Sequence, residues 1–263
     1  MKRDFTLHVY LKILETALEE HYAFIPFVDY LGNKKDYKKV IILRHDVDRK
    51  PVRALAMAQM EQELSIKASY YFRIVKRSFN ERIIKEIIRL GHEIGYHYED
   101  LSMSGGNFLE AISRFKNNLE KFGKICPVKT ICMHGSPLST WNNALLWTKY
   151  KYQDYGIIGD PLFDLDFDEF LYLTDTGRRW NHTNANIRDK VSTKFEDRFK
   201  NSFDIIEALK KGKLPVKIAL NVHPNRWNND IAAWTRELVF QNFKNIIKKF
   251  LLYTRYHGQN TRS

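Results

Sequence analysis

Apolar runs alternate with stretches of helical period along most of the chain. VIILR at 40–44 is followed by PVRALAMAQMEQEL at 51–64, where Pro51 suits a first helical turn and apolar residues recur at helical spacing. A strand and then a helix are predicted. ASYYFRI at 68–74 leads to RSFNERIIKEIIRL at 77–90, with Gly91 as the C-cap signal, and HEIGYH at 92–97 leads to NFLEAISRFKNNLEKF at 107–122, closed by Gly123. The rhythm continues through VKTICMH (128–134), YGII (155–158) and FLYLT (170–174), and VKIALNV (216–222) precedes a last helix over 231–252. Seven strands, most with a helix behind them, predict parallel βα units, arranged as a barrel or a doubly wound sheet. Residues 6–20 read as a helix ahead of this pattern, with an extended piece after it. The segment 175–201, rich in Asn, Arg and Asp, has no strong period and is expected to be a long functional loop.

Composition narrows the class. In 263 residues, 44% apolar and 14% aromatic content supports one sizeable core, which excludes a disordered, collagen-like or coiled-coil chain. Charges or histidines interrupt the first residues every few positions, and no run of ~18 apolar residues occurs. A soluble cytoplasmic protein with no transmembrane segment is expected. Cys126 and Cys132 are too few for a disulfide framework and read as packed thiols. The net charge of +12 suits a nucleic acid, an anionic membrane or an acidic substrate. Its clusters, Lys34, Lys35, Lys38 and Lys39, then Lys210, Lys211 and Lys213, lack interleaved aromatics. They read as solvated faces, and no specific nucleic-acid partner is expected.

The polar residues that follow the strands carry more information. His45, Asp46 and Asp48 follow the first run, His97 and His134 end the next ones, and Asp175 and His223 end the last two. In parallel α/β folds the strand C-termini converge on one face, so these side chains are expected to share one cleft, which points to an enzyme. His92 begins its strand and is expected to point away. Each residue has a plainer reading: Asp48 could cap the helix at Pro51, and His223 could be held by Pro224 in a turn. Taken together, carboxylates and imidazoles suit a divalent ion, zinc by default, and metal-assisted hydrolysis.

These residues resemble the polysaccharide deacetylases, the NodB-homology fold of carbohydrate esterase family 4, and within it the short, WbmS-like members. The resemblance runs from Val40 to Trp227. Arg44-His45-Asp46-Val47-Asp48 resembles the motif whose aspartates are a base and a metal ligand, so the resemblance implies Asp46 as general base and Asp48 as ligand. The Gly91 to Gly95 lead, Gly-His-Glu-Ile-Gly, implies His97 as a further ligand; four residues on, where the family usually has a second histidine, stands Leu101. Glu99, Asp100, His134 or water could complete the set. His134-Gly135-Ser136-Pro137 keeps only the proline of the third motif, and His134 is assigned to substrate binding. Asp175-Thr176-Gly177-Arg178-Arg179-Trp180 resembles the motif that orients the base and walls the cleft, which implies catalytic support from Asp175 and Arg178. Leu220-Asn221-Val222-His223-Pro224 resembles the fifth motif, with His223 as general acid. Arg178 and Arg179 could equally be loop charges, and Trp180 and Trp227 could be sugar-stacking walls or buried aromatics.

The family implies a distorted (β/α) barrel of about seven parallel strands, with residues 1–39 as an N-terminal helical cap and 40–263 as the catalytic part of a single domain. It implies a divalent metal, zinc being expected, and removal of an acetyl group from an N-acetylated sugar or sugar precursor in surface-polysaccharide biosynthesis. The basic charge favours a phosphorylated sugar carrier as substrate. The alternative is an impaired homologue that binds a glycan, motivated by Leu101.

Overall fold

The computed structural model describes residues 3–32, 37–136, 139–180, 194–195 and 199–260, with side chains described as far as Ile247. Lys34, Lys35, Pro137 and most of the 175–201 loop lie outside the described residues.

The chain begins with α1 (Leu7–Glu19), β1 (Ala23–Ile25) and α2 (Phe27–Gly32). Then come β2 (Val40–Val47), α3 (Pro51–Glu63), β3 (Ser69–Phe72), α4 (Glu81–Arg89), β4 (Glu93–Tyr98), α5 (Asp100–Met103), α6 (Phe108–Gly123) and β5 (Ile131–Met133). After two 3-10 turns follow α7 (Pro161–Asp164), β6 (Leu171–Thr174), α8 (Ser202–Lys210), β7 (Lys217–Val222) and α9 (Ile231–Asn260).

Local chemistry sets the helix starts. Thr6, Asn80 and Asn107 each accept a backbone N–H of the first turn of α1, α4 and α6, and Asn201 forms a reciprocal capping box with Asp204 at the head of α8. The Asn80 cap moves the start of α4 to 81, four residues later than its apolar pattern begins. Gly91 takes the left-handed conformation (φ +89°) expected after α4, whereas Gly123 stays inside α6.

The seven strands are parallel, in the order β5-β4-β3-β2-β7-β6, with β1 also on β2. β1 pairs with Val40–Ile42 and β3 with Arg44–Val47, so the two follow one another along one edge of β2 while β7 takes the other. This is the strand order of a barrel with its seam between β5 and β6: a curled half-barrel flanked by helices. YGII at 155–158 forms no strand. Gly156 turns left-handed (φ +76°), and among the described residues this stretch meets the sheet at the isolated Thr130–Gly159 bridge, so Ala23–Ile25 takes the seventh place.

Alternation along β2 explains both cores. Ile41, Leu43 and Val47 face the helices in the larger core, and Val40 and Ile42 face the interior with Tyr30, Phe170 and Tyr172. The interior is thus apolar at the strand N-termini, and the same face continues as Arg44 and Asp46 at the C-terminal end. Gly95 of β4 has no side chain for a reason: a Cβ there would meet the Tyr71 ring at 2.3 Å.

The same alternation removes His45 from the cleft. Its ring stacks on Tyr70 (4.2 Å) in the helix layer, and its Nε2 donates to Glu61 Oε1 of α3 at 2.8 Å. The Tyr10 and Tyr70 hydroxyls also donate to Glu61, at 2.6 and 2.8 Å, inside a fully buried cluster. Burial alone would raise the Glu61 carboxyl, but His45, His92 and the Tyr10 hydroxyl bring it below its ordinary value. Glu61→Ala is expected to cost about 3–5 kcal/mol, read as a lowered urea midpoint, because three buried donors lose their acceptor. His92 lies in the same layer, accepting from Ala68 N (3.2 Å) and facing the Ala58 carbonyl (3.0 Å), away from the cleft as its place at a strand start predicts.

Candidate active site

Four strand ends supply the groups that face one another in the cleft, and a fifth, β6, supplies Asp175 behind His223. Asp46 lies near the end of β2, and the chain turns so that Asp48 N donates to the Asp46 carbonyl (3.0 Å). β4 contributes His97, the residue after β5 is His134, and His223 follows β7. Asp46 Oδ2 accepts from Arg44 (3.1 Å) and Asn221 (2.9 Å) and lies 4.0 Å from His97 Nε2 and 3.9 Å from His223 Nε2. Burial by itself would raise its pKa. Arg44, His97 and His223 outweigh burial and hold it at about 2.

Beside this carboxylate stands a donor set. Asp48 Oδ1 is 3.7 Å from His97 Nε2 and 3.5 Å from His134 Nε2. Donors bound at ~2.0–2.2 Å to one tetrahedral ion stand about 3.3–3.6 Å apart, so the spacing suits a single cation. Two further facts bear on the fit. Asp48 Oδ1 is buried and makes no hydrogen bond, and its carboxyl is held far below the usual range because His134, His223 and His97 outweigh the cost of burial. His97 Nδ1 donates to the Cys132 carbonyl (3.0 Å), which leaves the Nε2 lone pair facing the other donors. Burial, helped by the neighbouring His134, lowers His97 to about 4 against the pull of Asp46 and Asp48, so the ring is neutral and able to ligate at pH 7. Asp46, His97 and Cys132 form a second cluster, but there Asp46 is already bonded to Arg44 and Asn221. The residues present fit a divalent ion held by Asp48, His97 and His134.

His134 therefore stands as a candidate ligand rather than only a substrate contact. Its Nδ1 faces Glu99 Oε2 at 3.0 Å and Ser136 Oγ at 3.0 Å, and Arg73 grips Glu99 through Nε (2.9 Å) and Nη2 (2.6 Å). Burial would raise the Glu99 carboxyl, yet the bonds to His134 and Arg73 bring it to about 2. Glu99 is thus an orienting carboxylate behind the imidazole, a pattern common around metal-bound histidines. Glu99→Gln is expected to weaken divalent-ion affinity by roughly 10–100-fold in a calorimetric titration. Asp100 is no ligand candidate: it is buried with Tyr96 (2.7 Å) and Asn118 (2.9 Å), and burial raises it to about 6. Leu101 is fully buried in the hydrophobic core.

Around His223 the arrangement is equally built. Asp175 Oδ1 lies 2.7 Å from His223 Nδ1, and the Asp175 carboxylate also accepts the His223 backbone N–H (3.0 Å), Arg226 Nη1 (2.6 Å) and Trp227 Nε1 (2.7 Å). A carboxylate that close keeps the proton on Nδ1 and leaves Nε2 facing Asp46. Burial would raise the Asp175 carboxyl, and Arg226 and His223 hold it below its ordinary value instead.

The structure thus brings together Asp46, Asp48, His97, His134, Asp175 and His223. It does not bring in Arg178, whose guanidinium lies over Phe5 (5.1 Å) and Trp234 (4.9 Å) in a left-handed turn (φ +57°). Nor are the tryptophans stacking walls, since both are fully buried. Trp180 donates to Ser202 Oγ (2.9 Å) and stacks on Phe5, while Trp227 packs on Tyr10 and binds Asp175. The basic residues that do serve the site, Arg44, Arg226 and Arg73, escaped the sequence reading, as did Asn221. Arg44 and Asn221 each stand two residues before a predicted catalytic group, hence on the same face of the strand.

No family model matches the chain, and no curated protein matches it. Similar solved structures do exist. A CE4 family pseudoenzyme from Bacillus anthracis, BA3943, is 13% identical over 81% of this chain and 62% of its own, with a TM-score of 0.42. The Xyl-CE4 domain of a multidomain xylanase from the hindgut metagenome of Trinervitermes trinervoides is 13% identical over 79% and 84% (TM-score 0.41). Peptidoglycan deacetylase PdaC from Bacillus subtilis is 11% identical over 85% and 97% (TM-score 0.42). The chain spans less than two thirds of the length of the BA3943 chain. Among the described residues no helix is long and apolar enough to cross a membrane.

Proposed function

We propose that this cleft hydrolyses the acetyl amide of an N-acetylated sugar, as a member of the carbohydrate esterase 4 type. One observation carries the reading. Asp46 lies 4.0 Å from His97 and 3.9 Å from the Asp175-backed His223, with the Asp48, His97 and His134 donor set beside it. A proton acceptor, a proton donor and a place for an electrophile therefore surround one point.

Amide hydrolysis needs a water nucleophile, charge stabilisation at the carbonyl oxygen and a proton for the leaving amine. Asp48, His97 and His134 would hold a divalent ion, zinc being the natural choice for this donor set, and when bound it would supply acidification of water and charge stabilisation at the carbonyl oxygen. Asp46 is ionised at any working pH and accepts the proton that the attacking water gives up. Arg44 and Asn221 hold its carboxylate in place. His223, as the imidazolium with Asp175 on its Nδ1 side, gives its Nε2 proton to the nitrogen as the C–N bond breaks, giving acetate and the free amine, and the proton taken up by Asp46 recharges it. Asp175 fixes the tautomer and supports the imidazolium, while Arg226 and Trp227 fix Asp175.

The sugar is proposed to be anionic, such as a phosphorylated carrier of surface-polysaccharide synthesis. Arg49 and Lys50 directly follow Asp48, and Arg53 donates to the carbonyl of Asn225, two residues after His223, at 2.7 Å. Acetate release from a nucleotide-linked N-acetyl sugar is therefore expected to exceed release from the free sugar, and to fall with salt. Equal rates on both, unaffected by salt, would remove the phosphate from the proposal.

A further inference from the structure

As far as its side chains are described, α9 turns three polar residues inward beside Trp234 and leaves large apolar residues outward. On one face of α9, Glu237, Gln241 and Asn245 recur every four residues and are buried. Glu237 takes Arg49 (2.5 Å) and Lys50 (3.7 Å), Gln241 donates to Asn245 (3.0 Å), and Asn245 donates to the Gly177 carbonyl (3.0 Å), two residues from Asp175. The opposite face exposes Val239 (63%), Phe243 (60%) and Ile246 (66%), flanked by Phe240 and Ile247. A surface helix of a protein that works alone in water shows the reverse arrangement, with its apolar stripe against the core. Large exposed apolar residues that adjoin one another mark an interaction surface.

The surroundings of that stripe indicate its partner. Arg236 is exposed on α9, Lys244 lies with its ammonium 4.5 Å from the Phe240 ring, and Arg49 lies 5.1 Å from the same ring. Lys50 is exposed, and so is Arg77, whose carbonyl accepts the Lys50 N–H. Glu237 offsets one of the two charges of Arg49 and Lys50, so these five cations keep a positive excess at the rim. The chain as a whole carries +12. Phenylalanine and isoleucine side chains within a rim of cations are what an interfacial helix presents to an anionic bilayer: the rings and alkyl groups enter the boundary below the headgroups, and the cations meet the lipid phosphates.

We infer that α9 docks the protein on an anionic membrane surface, with the mouth of the cleft beside the headgroup plane. Asn245 and Glu237 couple the helix to the Gly177 turn and to Arg49, next to Asp175 and Asp48, so docking holds the site at the surface. The inference does not depend on the reaction proposed above, and binding can be measured without substrate.

The test is sedimentation of the full-length chain with phosphatidylcholine vesicles, with and without phosphatidylglycerol. The comparison protein is the double variant Phe243→Ser, Ile246→Ser, which alters exposed side chains and keeps the charge. Wild type is expected to sediment with the anionic vesicles only, and the variant, with unchanged circular dichroism, to bind at least about tenfold more weakly. Equal binding by the variant would mean adsorption through charge alone and would overturn the inference. Wild type that ignores both vesicle types would overturn it too; a dimer in light scattering that the same variant splits would then identify a second copy as the occupant.

Discussion

Asp46→Asn is expected to lower the rate of acetate release by roughly 10²–10⁴-fold while the protein still binds a divalent ion. The substitution keeps the shape of the side chain, but the carboxylate that accepts the water's proton is lost. Arg44 and Asn221 would meet an amide in place of a carboxylate, so the expected loss is in turnover more than in binding. The carboxyl is held at about 2, so Asp46 stays ionised through the range in which enzymes are assayed. An acid limb at pH 5–6 must then belong to another group. Measured rates across pH, with ion content determined on the same samples, check this. If Asp46→Asn also strips the ion, Asp46 is a ligand and the base lies elsewhere.

His134→Ala is expected to abolish stoichiometric ion binding, and acetate release with it, leaving the fold intact. With Asp48 and His97 alone, two protein donors remain, and the carboxylate at Asp48 loses one of the imidazoles now 3.5 and 3.7 Å from it. Calorimetric titration with zinc gives the affinity, and thermal melting without metal shows that folding is preserved. Asp48→Ala is expected to give the same result from the other side of the site. By contrast, Leu101→His would place an imidazole in a fully buried core position, so it is expected to lower stability without raising affinity. A gain in affinity from Leu101→His would mean that His134 is not the third ligand.

Six of the strands and the longer helices α1, α3, α4, α6 and α9 were readable from short apolar runs and helical period, several with start or stop signals, whereas the short helices α2, α5 and α7 and the helix α8 were not. β1 was missed because three residues, Ala23–Ile25, are too short for a period to register, and their place in the sheet comes from pairing with β2. YGII was over-read for the complementary reason: it is apolar, but Gly156 breaks the extended conformation.

The site was legible where one residue type at a strand end has one geometric consequence, as for Asp46, Asp48, His97 and His223. It was illegible where side-chain direction decided the matter. His45 belongs to the helix layer by alternation alone, and Trp180 and Trp227 lie in the core, which their residue type permits as readily as a cleft wall. For the third ligand the sequence leaves Glu99, Asp100 and His134 open, and the sheet favours His134, from another strand. β5 pairs with β4 so that His97 stands opposite Cys132, and His134, two residues further on the same face, comes to 3.5 Å from Asp48. No spacing along the chain encodes that juxtaposition; it is a product of the sheet's register.

The most direct test of the central claim is acetate release from an N-acetylated sugar substrate by the purified chain, first stripped with chelator and then titrated with zinc. No release is expected from the stripped protein, and release is expected to rise with zinc and saturate at one equivalent. A protein that binds one equivalent of zinc yet releases no acetate from free, nucleotide-linked or polymeric N-acetyl sugars would contradict it.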